Sequence, residues 1–274
     1  MKTWLITGCS SGIGAAIAKA VLASGDNAVV TARKPEVVAD IVKDYPETSL
    51  AVALDVTDVD SIKTAVDAAV EKFGTIDVLI NNAGYGYRCA IEEGQREDVD
   101  QLFNTNVFGT IDVMKAVLPL MRAQRSGIIL NVSSIAAYRG GIGSGYYASS
   151  KAALEIISDV LQREVEPLGI KVGIIEPGGF RTDFYTRSLH GSSVKISDYD
   201  GTAGPARKEN VVDRKDQPGD PDKAGAVIVD LVKGGDIPMR LLMGKDTVIM
   251  ARKELQARLD LIDKWADVSA KTDY

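Results

Sequence analysis

The chain has 274 residues, of which 45% are hydrophobic, and its formal net charge is −6. This apolar content is typical of a globular protein with a large core. The acidic balance gives no basic field that would attract nucleic acid or an anionic membrane, and no apolar run is long enough to span a bilayer. A strand pattern begins at once where a signal peptide would need a longer apolar region. Its two cysteines, Cys9 and Cys89, form no disulfide framework. We therefore expect a cytoplasmic protein that binds neither nucleic acid nor membrane.

Short apolar runs alternate with longer amphipathic segments from the first strand onward. Strands are predicted at 4–7, 28–32, 50–54, 78–80, 127–132 and 171–175, and helices at 12–24, 58–73, 98–122 and 149–166. Pro119 predicts a kink or an end inside the third helix. Continuous β-branched strands separated by helices are typical of a parallel sheet covered on both faces. We predict one α/β domain over 1–274, a Rossmann-type doubly wound parallel sheet of about seven strands with helices on both faces.

Two later segments depart from this alternation. Residues 185–220 are rich in Gly, Ser, Asp and Lys and show little periodicity, which is typical of a lid or a disordered loop. We expect a substrate lid, the most mobile part of the free protein, which becomes ordered when cofactor and substrate bind. The only histidine, His190, lies in this lid and is expected to be exposed, so neither a histidine triad nor a zinc site is predicted. Residues 246–268 recover helical spacing and predict a C-terminal helix.

A glycine-rich turn, Thr7-Gly8-Cys9-Ser10-Ser11-Gly12-Ile13-Gly14, follows the first strand. Glycine permits a tight turn and close approach to a pyrophosphate, and the helix that starts here directs its positive dipole end at that anion. The spacing differs from G-x-G-x-x-G, so an ordinary glycine-rich turn is the alternative. The position directly after the first strand favours a nucleotide site. Cys9 serves there either as a small side chain or as a redox sensor.

The second strand ends in Thr31-Ala32-Arg33-Lys34, without the carboxylate that would bind a ribose 2′-hydroxyl. The planar fork of Arg33 suits a 2′-phosphate. The alternative is that these charges only open a helix in solvent. We favour NADP(H) over NAD.

Tyr147 and Lys151 stand four residues apart, on one face of a predicted helix. An ammonium near a phenol lowers the phenol pKa, which suits proton exchange with an alcohol or a ketone. Tyr146 competes for this role, but its partner at the same spacing is Ser150. A surface Tyr–Lys pair is the alternative. The strand before this helix ends in Ser133-Ser134, at the sheet edge where open parallel sheets bind ligands.

Taken in order, these motifs resemble the short-chain dehydrogenase/reductase family in its single-domain form. The match runs from about 3 to 182 and comprises Thr7–Gly14, Asp55, Asn81–Gly84, Asn106, Ser134, Tyr147–Lys151 and Pro177–Thr182. The glycine turn and Thr-Ala-Arg are similar to the 17β-hydroxysteroid and retinol dehydrogenase-like branch. The resemblance implies an NADP(H)-dependent oxidoreductase that interconverts a secondary alcohol and a ketone. It also implies a homo-oligomer, either a dimer or a tetramer.

The resemblance further implies a role for each matching residue. Tyr147 would be the acid/base, Lys151 would lower its pKa and hold the nicotinamide ribose, and Ser134 would polarise the carbonyl while Ser133 points elsewhere. Asn106 would hold a water that links Lys151 to solvent. The residues expected to bind the cofactor are Gly8, Ser10, Ser11, Gly12, Ile13, Gly14, Arg33, Asp55, Val56, Asn82, Ala83, Gly84, Tyr147, Lys151, Pro177, Gly178 and Thr182. Ser11 departs from the basic residue that some NADP-preferring members carry there.

Three other functions are compatible with parts of this pattern. A catalytically silent NADP sensor would usually lack the tyrosine or the lysine. A dehydrogenase of the same fold that prefers NAD would need another explanation for Arg33. A nucleotide-sugar epimerase or dehydratase would show a different glycine spacing and a larger C-terminal domain. Residues 85–89, which include Tyr85, Tyr87 and Arg88, either line a substrate pocket or only fill a loop.

Overall fold

The computed structural model describes residues 1–211 and 216–274. Its strands are β1 Thr3–Ile6, β2 Asn27–Ala32, β3 Ser49–Ala53, β4 Val78–Asn81, β5 Gly86–Arg88, β6 Gly127–Val132, β7 Ile170–Pro177, β8 Leu189–Gly191 and β9 Arg240–Met243. Its helices are α1 Gly12–Ala23, α2 Ala39–Val42, α3 Val59–Phe73, α4 Arg96–Phe103, α5 Thr110–Gln124, α6 Gly145–Val165, α7 Phe184–Arg187, α8 Pro221–Gly234 and α9 Lys245–Ser269.

Seven of these strands form one parallel sheet in the order β3-β2-β1-β4-β6-β7-β9. The chain adds strands outward from β1 to β3 and then returns to the other side of β1 with β4. The carboxyl ends of β1 and β4 therefore flank the point where the strand order reverses, which is where open α/β sheets bind their ligands. This topology confirms the predicted doubly wound Rossmann-type sheet.

The side chains of β1 show why the strands are continuously apolar and do not alternate between apolar and polar residues. Trp4 and Ile6 point to one face and join the core with residues of α1 and α8, such as Ile17 and Ile228. Leu5 points to the other face and joins α3 and α5. Because helices cover both faces, every position of the central strands is buried.

The long helix predicted at 98–122 does not end at Pro119. Proline lies inside α5, which continues to Gln124, and the irregularity is a wide π-type turn at Asn104–Gly109. The cause of this turn is tertiary. A Cβ at Gly109 would lie 2.5 Å from the Val56 carbonyl oxygen, so the helix passes very close to the loop after β3. Such turns often occur at functional sites.

The expected lid at 185–220 carries ordered contacts in its described part, and residues 212–215 lie outside the described residues. The short strand β8 pairs with β5 in a second, two-stranded sheet. Arg207 is buried and binds the buried carboxylate of Glu93, and it also donates to the Ile196 carbonyl oxygen at 2.9 Å. A buried ion pair with satisfied hydrogen bonds holds this segment to the body.

Hydrogen exchange tests whether this segment is a lid. We expect 192–211 to exchange faster than the sheet in the free protein and to slow when NADP and a substrate or product bind. Arg207→Met should speed exchange there further, because it leaves Glu93 buried without its partner. Lys195→Met is the matched control: its ion pair with Glu209 is exposed, and its loss should change little. Strong protection across 190–211 in the free protein would mean a preformed site and no gate.

We call the Glu93–Arg207 ion pair the anchor of this segment. Its contribution to stability depends on pH. Hydrogen bonding to Arg207 is the largest cause that lowers the pKa of Glu93 to about 2. A carboxyl whose pKa falls on folding stabilises the fold above its unfolded pKa, and that stabilisation is lost as the pH falls toward the folded value. The contribution of the anchor to the free energy of unfolding is therefore fully present at neutral pH.

Candidate active site

The glycine-rich turn lies at the carboxyl end of β1, and its conformation requires glycine. Gly8 and Gly12 have φ of +73° and +62°, in the left-handed region. A Cβ at Gly8 would lie 2.9 Å from the Ala83 Cα, and a Cβ at Gly14 would lie 2.6 Å from the Gly8 carbonyl oxygen. The glycines therefore let the turn pack closely on the Asn82–Ala83 segment at the start of α1, and we call this turn the glycine cradle; a glycine-rich turn before a helix N-terminus is a geometry that binds phosphate groups.

The Asn81–Gly84 motif meets this turn through a set of hydrogen bonds. The Asn82 side-chain amide donates to the Thr7 and Gly8 carbonyl oxygens, both at 3.0 Å. The Thr7 hydroxyl oxygen accepts from the backbone N–H groups of Asn82 at 2.9 Å and Ala83 at 3.0 Å. The two motifs hold each other in place, so both sides of the crevice are fixed together.

The outer part of the expected cofactor site lies at the ends of β2 and β3. Arg33 is exposed and makes no side-chain hydrogen bond or ion pair with the residues that the structure describes. Ala32 is 5% exposed and packs in the core. The Asp55 carboxylate accepts from the Thr57 backbone and hydroxyl at 2.9 and 2.7 Å, and Val56 is buried beside it.

The catalytic end brings α6, β6 and the loop after β4 together. Lys151 is buried and its Nζ donates to the Val132 carbonyl oxygen at 2.8 Å. A Cβ on Gly84 would lie 3.0 Å from the Asn106 Oδ1 and 3.5 Å from that Nζ, so the loop after β4 passes close to both side chains. Ser134 follows β6 and its hydroxyl accepts from the Ala136 backbone at 3.1 Å. Ser133 points elsewhere, as expected, and donates to Glu155 at 2.8 Å.

Burial and nearby groups set the pKa values of Tyr147 and Lys151. Burial raises the pKa of Tyr147, and this rise is opposed by the Ser134 hydroxyl and then by the charge of Arg88. The Lys151 ammonium is turned to the Val132 carbonyl oxygen. Burial lowers the pKa of Lys151 itself to about 8, against the opposing charge of Glu155. The expected lowering of the phenol pKa by Lys151 stays a prediction.

Arg88 is the charged residue whose place near Tyr147 the sequence left open. The only signal was its position soon after the Asn81–Gly84 motif. Gly86, two residues earlier on the same face of β5, lies against the Phe184 ring, and that ring is 5.9 Å from the Tyr147 ring. Alternation along the strand therefore directs Arg88 toward the catalytic side.

Asn106 lies in the wide turn and uses its whole side-chain amide. Its oxygen accepts from the Tyr85 backbone N–H at 3.0 Å. Its nitrogen donates to the Tyr85 carbonyl oxygen at 2.9 Å and to the Ser150 hydroxyl at 3.1 Å. The residue therefore fixes the loop after β4 to α6, and the expected water bridge to Lys151 stays a prediction.

The two adjacent tyrosines face different surroundings. Tyr146 donates its hydroxyl to the Ile91 carbonyl oxygen at 2.7 Å and packs on Tyr87. Tyr147 lies one residue further around α6, beside Ser134 and the Phe184 ring. Tyr146 is held by structural contacts, whereas Tyr147 faces the candidate site.

Cys9 and His190, which the sequence also singled out, lie in opposite surroundings, one buried and one exposed. Cys9 is fully buried, donates to the Ile6 carbonyl oxygen at 3.2 Å, and has its pKa raised by burial to about 12. Such a thiol does not form the thiolate that a redox sensor needs. His190 is exposed, and its ring lies 4.9 Å from the Tyr85 ring. Within 1–211 and 216–274, no cluster of metal-ligating side chains occurs.

A doubly wound sheet with a glycine cradle and a Tyr–Lys–Ser group at its carboxyl edge defines a class of nicotinamide-dependent oxidoreductases. The sequence matches the short chain dehydrogenase family over residues 2–191. The chain belongs to this family of oxidoreductases, whose cofactor is a nicotinamide dinucleotide. No helix in the described part of the chain is both long and apolar enough to cross a membrane.

Three similar proteins cover nearly the same length. Oxidoreductase BOA17 of Botryotinia fuckeliana is 39% identical over 269 residues, which are 98% of each chain. A 3-ketodihydrosphingosine reductase of Bacteroides thetaiotaomicron is 36% identical over 88% of this chain and 87% of its own. The crystal structure of a short-chain dehydrogenase from Streptomyces avermitilis is 39% identical, with a TM-score of 0.91 over 100% of this chain and 98% of its own.

Proposed function

We propose that the protein is an NADP(H)-dependent oxidoreductase that interconverts a secondary alcohol and a ketone, with Tyr147 as the acid/base. The observation that carries this proposal is that Tyr147 lies beside the Ser134 hydroxyl, four residues before the buried Lys151 on α6, at the sheet edge that also carries the glycine-rich turn. A phenol, a hydroxyl donor and an ammonium are the groups that proton transfer to a carbonyl oxygen needs.

The residues present fit a dinucleotide. The structural observation that supports the fit is the glycine-rich turn at the start of α1, where Gly8 and Gly12 have left-handed φ and the helix N-terminus suits a pyrophosphate. The cofactor, when bound, supplies or accepts the hydride. Ile13, Asn82 and Ala83 would flank it on one side. Its nicotinamide half would meet Pro177, Gly178 and Thr182, the last of which lies against Gly12.

Ser134, Tyr147 and Lys151 would have separate roles in orienting the substrate, transferring the proton and holding the cofactor. Ser134 would donate a hydrogen bond to the carbonyl oxygen and hold it toward Tyr147. Because burial raises the pKa of Tyr147, the phenol holds its proton at neutral pH and can donate it to a ketone oxygen. Lys151 would hold the nicotinamide ribose with its ammonium.

Two observations support the finer parts of the proposal. Arg33 is exposed at the end of β2 with no carboxylate beside it at Ala32, which favours a 2′-phosphate. The Bacteroides relative is named for the reduction of a keto compound, which supports ketone reduction by this chain. A homo-oligomer in the cytoplasm, a dimer or a tetramer, belongs to the same proposal.

A panel of ketones and secondary alcohols, followed by NADPH absorbance, tests the proposed function. We expect the wild-type protein to turn over members of the panel. We also expect it to prefer NADPH to NADH. The alternative function is a silent NADP sensor, and the complete Tyr–Lys–Ser group argues against it. Tight NADPH binding without turnover of any ketone or alcohol would favour the sensor instead.

A further inference from the structure

A buried cluster of carboxyl groups lies directly behind the catalytic residues. Glu155 stands one turn after Lys151 on α6, and Glu176 lies at the end of β7, just before Pro177. Glu155 is 8% exposed and Glu176 is 0% exposed. We call these two residues the glutamate pair. Neither residue is used by the proposed chemistry, yet burying two carboxyl groups side by side is costly unless their charge is compensated.

One nitrogen lies between the two carboxyl groups. The Arg240 Nε is 3.7 Å from Glu155 Oε2 and 3.6 Å from Glu176 Oε1. The rest of the Arg240 guanidinium is occupied by Asp159, to which it donates at 3.0 Å and through a second bond. Glu176 Oε1 has no hydrogen-bond partner among the described residues. A buried carboxylate oxygen without a donor is unfavourable, whereas a protonated one can itself donate to the neighbouring carboxylate.

The number of charged groups around the glutamate pair also favours one proton on the pair. The groups that face the pair are Lys151 and Asp159 from α6, Arg240 from β9, the Ser133 hydroxyl and the Tyr138 hydroxyl, which lies 3.3 Å from Glu176. Two cations thus face three carboxyl groups. One proton on the glutamate pair makes the cluster neutral, and buried charges of like sign do not ionise together.

We propose that the glutamate pair shares one proton, held by Glu176, and that the charge left on Glu155 makes Glu155 a positioning residue that keeps Lys151 an ammonium. Both members accept a bond from a hydroxyl, but the bond from Ser133 to Glu155 is 2.8 Å and the bond from Tyr138 to Glu176 is 3.3 Å, and the shorter bond favours the charge on Glu155. Burial raises the pKa of Glu176, and the neighbouring Glu155 charge adds to this, to about 7. The part that concerns Lys151 rests on the proposed function.

The first experiment tests the proton without using activity. A carboxyl whose pKa is raised on folding stabilises the fold at low pH, and this contribution is lost as the pH rises through the folded value. We expect the melting temperature of the wild type, relative to Glu176→Gln, to fall by roughly 2–6 °C between about pH 5 and about pH 8. The amide mimics a protonated carboxyl and cannot titrate. An identical pH dependence in both proteins would overturn the shared proton.

An infrared spectrum of the wild type tests directly whether a buried carboxyl group is protonated. The carbonyl stretch of a buried carboxylic acid should be present in the wild type near neutral pH, weaken as the pH rises, and be absent from Glu176→Gln. A wild-type spectrum with only carboxylate bands at about pH 6 would overturn the proposal even if the variant failed to fold.

The second experiment tests the role of Glu155 through the pH profile of kcat/KM with NADPH and a ketone from the panel. Glu155→Gln removes the charge near Lys151, so we expect the basic limb to move down by about one pH unit. Glu155→Asp keeps the charge and should restore the limb, and Glu176→Gln should leave it in place. A merely structural role would lower activity at every pH without moving the limb, and that result would overturn the positioning role.

The affinity for NADPH, measured by fluorescence across the same pH range, separates this proposal from the proposed function. Loss of the Lys151 ammonium should weaken binding at lower pH in Glu155→Gln than in the wild type. If no ketone turns over but this shift is present, the proposed function fails and the positioning role stands. If ketones turn over and neither binding nor the basic limb shifts, the positioning role fails alone.

Discussion

Tyr147→Phe is expected to lower kcat by at least about 100-fold, the usual contribution of a general acid or base. The substitution removes the hydroxyl that faces Ser134 and keeps the ring, which packs 5.9 Å from the Phe184 ring. Because the ring stays, we expect little change in the melting temperature. Steady-state kinetics with a ketone from the panel and a thermal melt measure both quantities.

Tyr146→Phe is the matched control for this variant. It removes a hydroxyl from the neighbouring position of the same helix, where the hydroxyl donates to the Ile91 carbonyl oxygen. We expect a stability loss of about 1 kcal/mol from the missing hydrogen bond and retention of most activity. If Tyr146→Phe loses activity while Tyr147→Phe keeps it, the assignment of the whole site along α6 is wrong.

The central sheet was predictable because each strand is buried on both faces. The unbroken apolar residues of β1, with Trp4 and Ile6 on one face and Leu5 on the other, reflect the two helical layers directly. The short pair β5–β8 was not predicted, because three-residue strands have no periodicity to detect. The wide turn at Asn104–Gly109 was also missed. Its causes are the contacts of Asn106 and Gly109 with distant segments, whereas Pro119 is visible locally and does not end the helix.

The candidate site was predictable in its residues but not in its charges. The motif spacing identified Tyr147 and Lys151, and the structure places them with Ser134 at one sheet edge. The direction of the Lys151 ammonium depends on the Val132 carbonyl oxygen, which no spacing shows. Glu155 and Glu176 belong to different elements and are ordinary polar positions in the sequence, so only the fold shows that they meet.

The contacts of the lid were also not predictable from the sequence. Its composition predicted mobility because polar and glycine-rich segments bury little apolar surface. The anchor between Glu93 and Arg207 joins residues 114 positions apart, so composition could not show it. The mobility stays a prediction, and the buried ion pair is the contact that must open if the segment moves.

Arg33→Ala is expected to raise the KM for NADPH by about tenfold to hundredfold and to leave the KM for NADH nearly unchanged. The reason is the loss of charge-assisted hydrogen bonds to the 2′-phosphate, each worth about 1.5–3 kcal/mol. Lys34→Ala is the matched control, since it removes an adjacent exposed charge without the planar fork. A similar rise in both variants would mean that the local positive field, and not a specific Arg33 contact, selects the phosphate.

Ala32→Asp is expected to shift the preference toward NADH, because a carboxylate repels the 2′-phosphate and accepts a hydrogen bond from the 2′-hydroxyl. Ala32 is 5% exposed and packs in the core, so the aspartate also costs stability through desolvation. Ala32→Asn has nearly the same shape without the charge, and a thermal melt of both variants separates the electrostatic effect from misfolding. Kinetics with NADPH and NADH at equal concentrations give the ratio of kcat/KM values for each protein. A wild-type protein that prefers NADH in this assay would contradict the role of Arg33 directly, since the ribose would then be recognised without a phosphate.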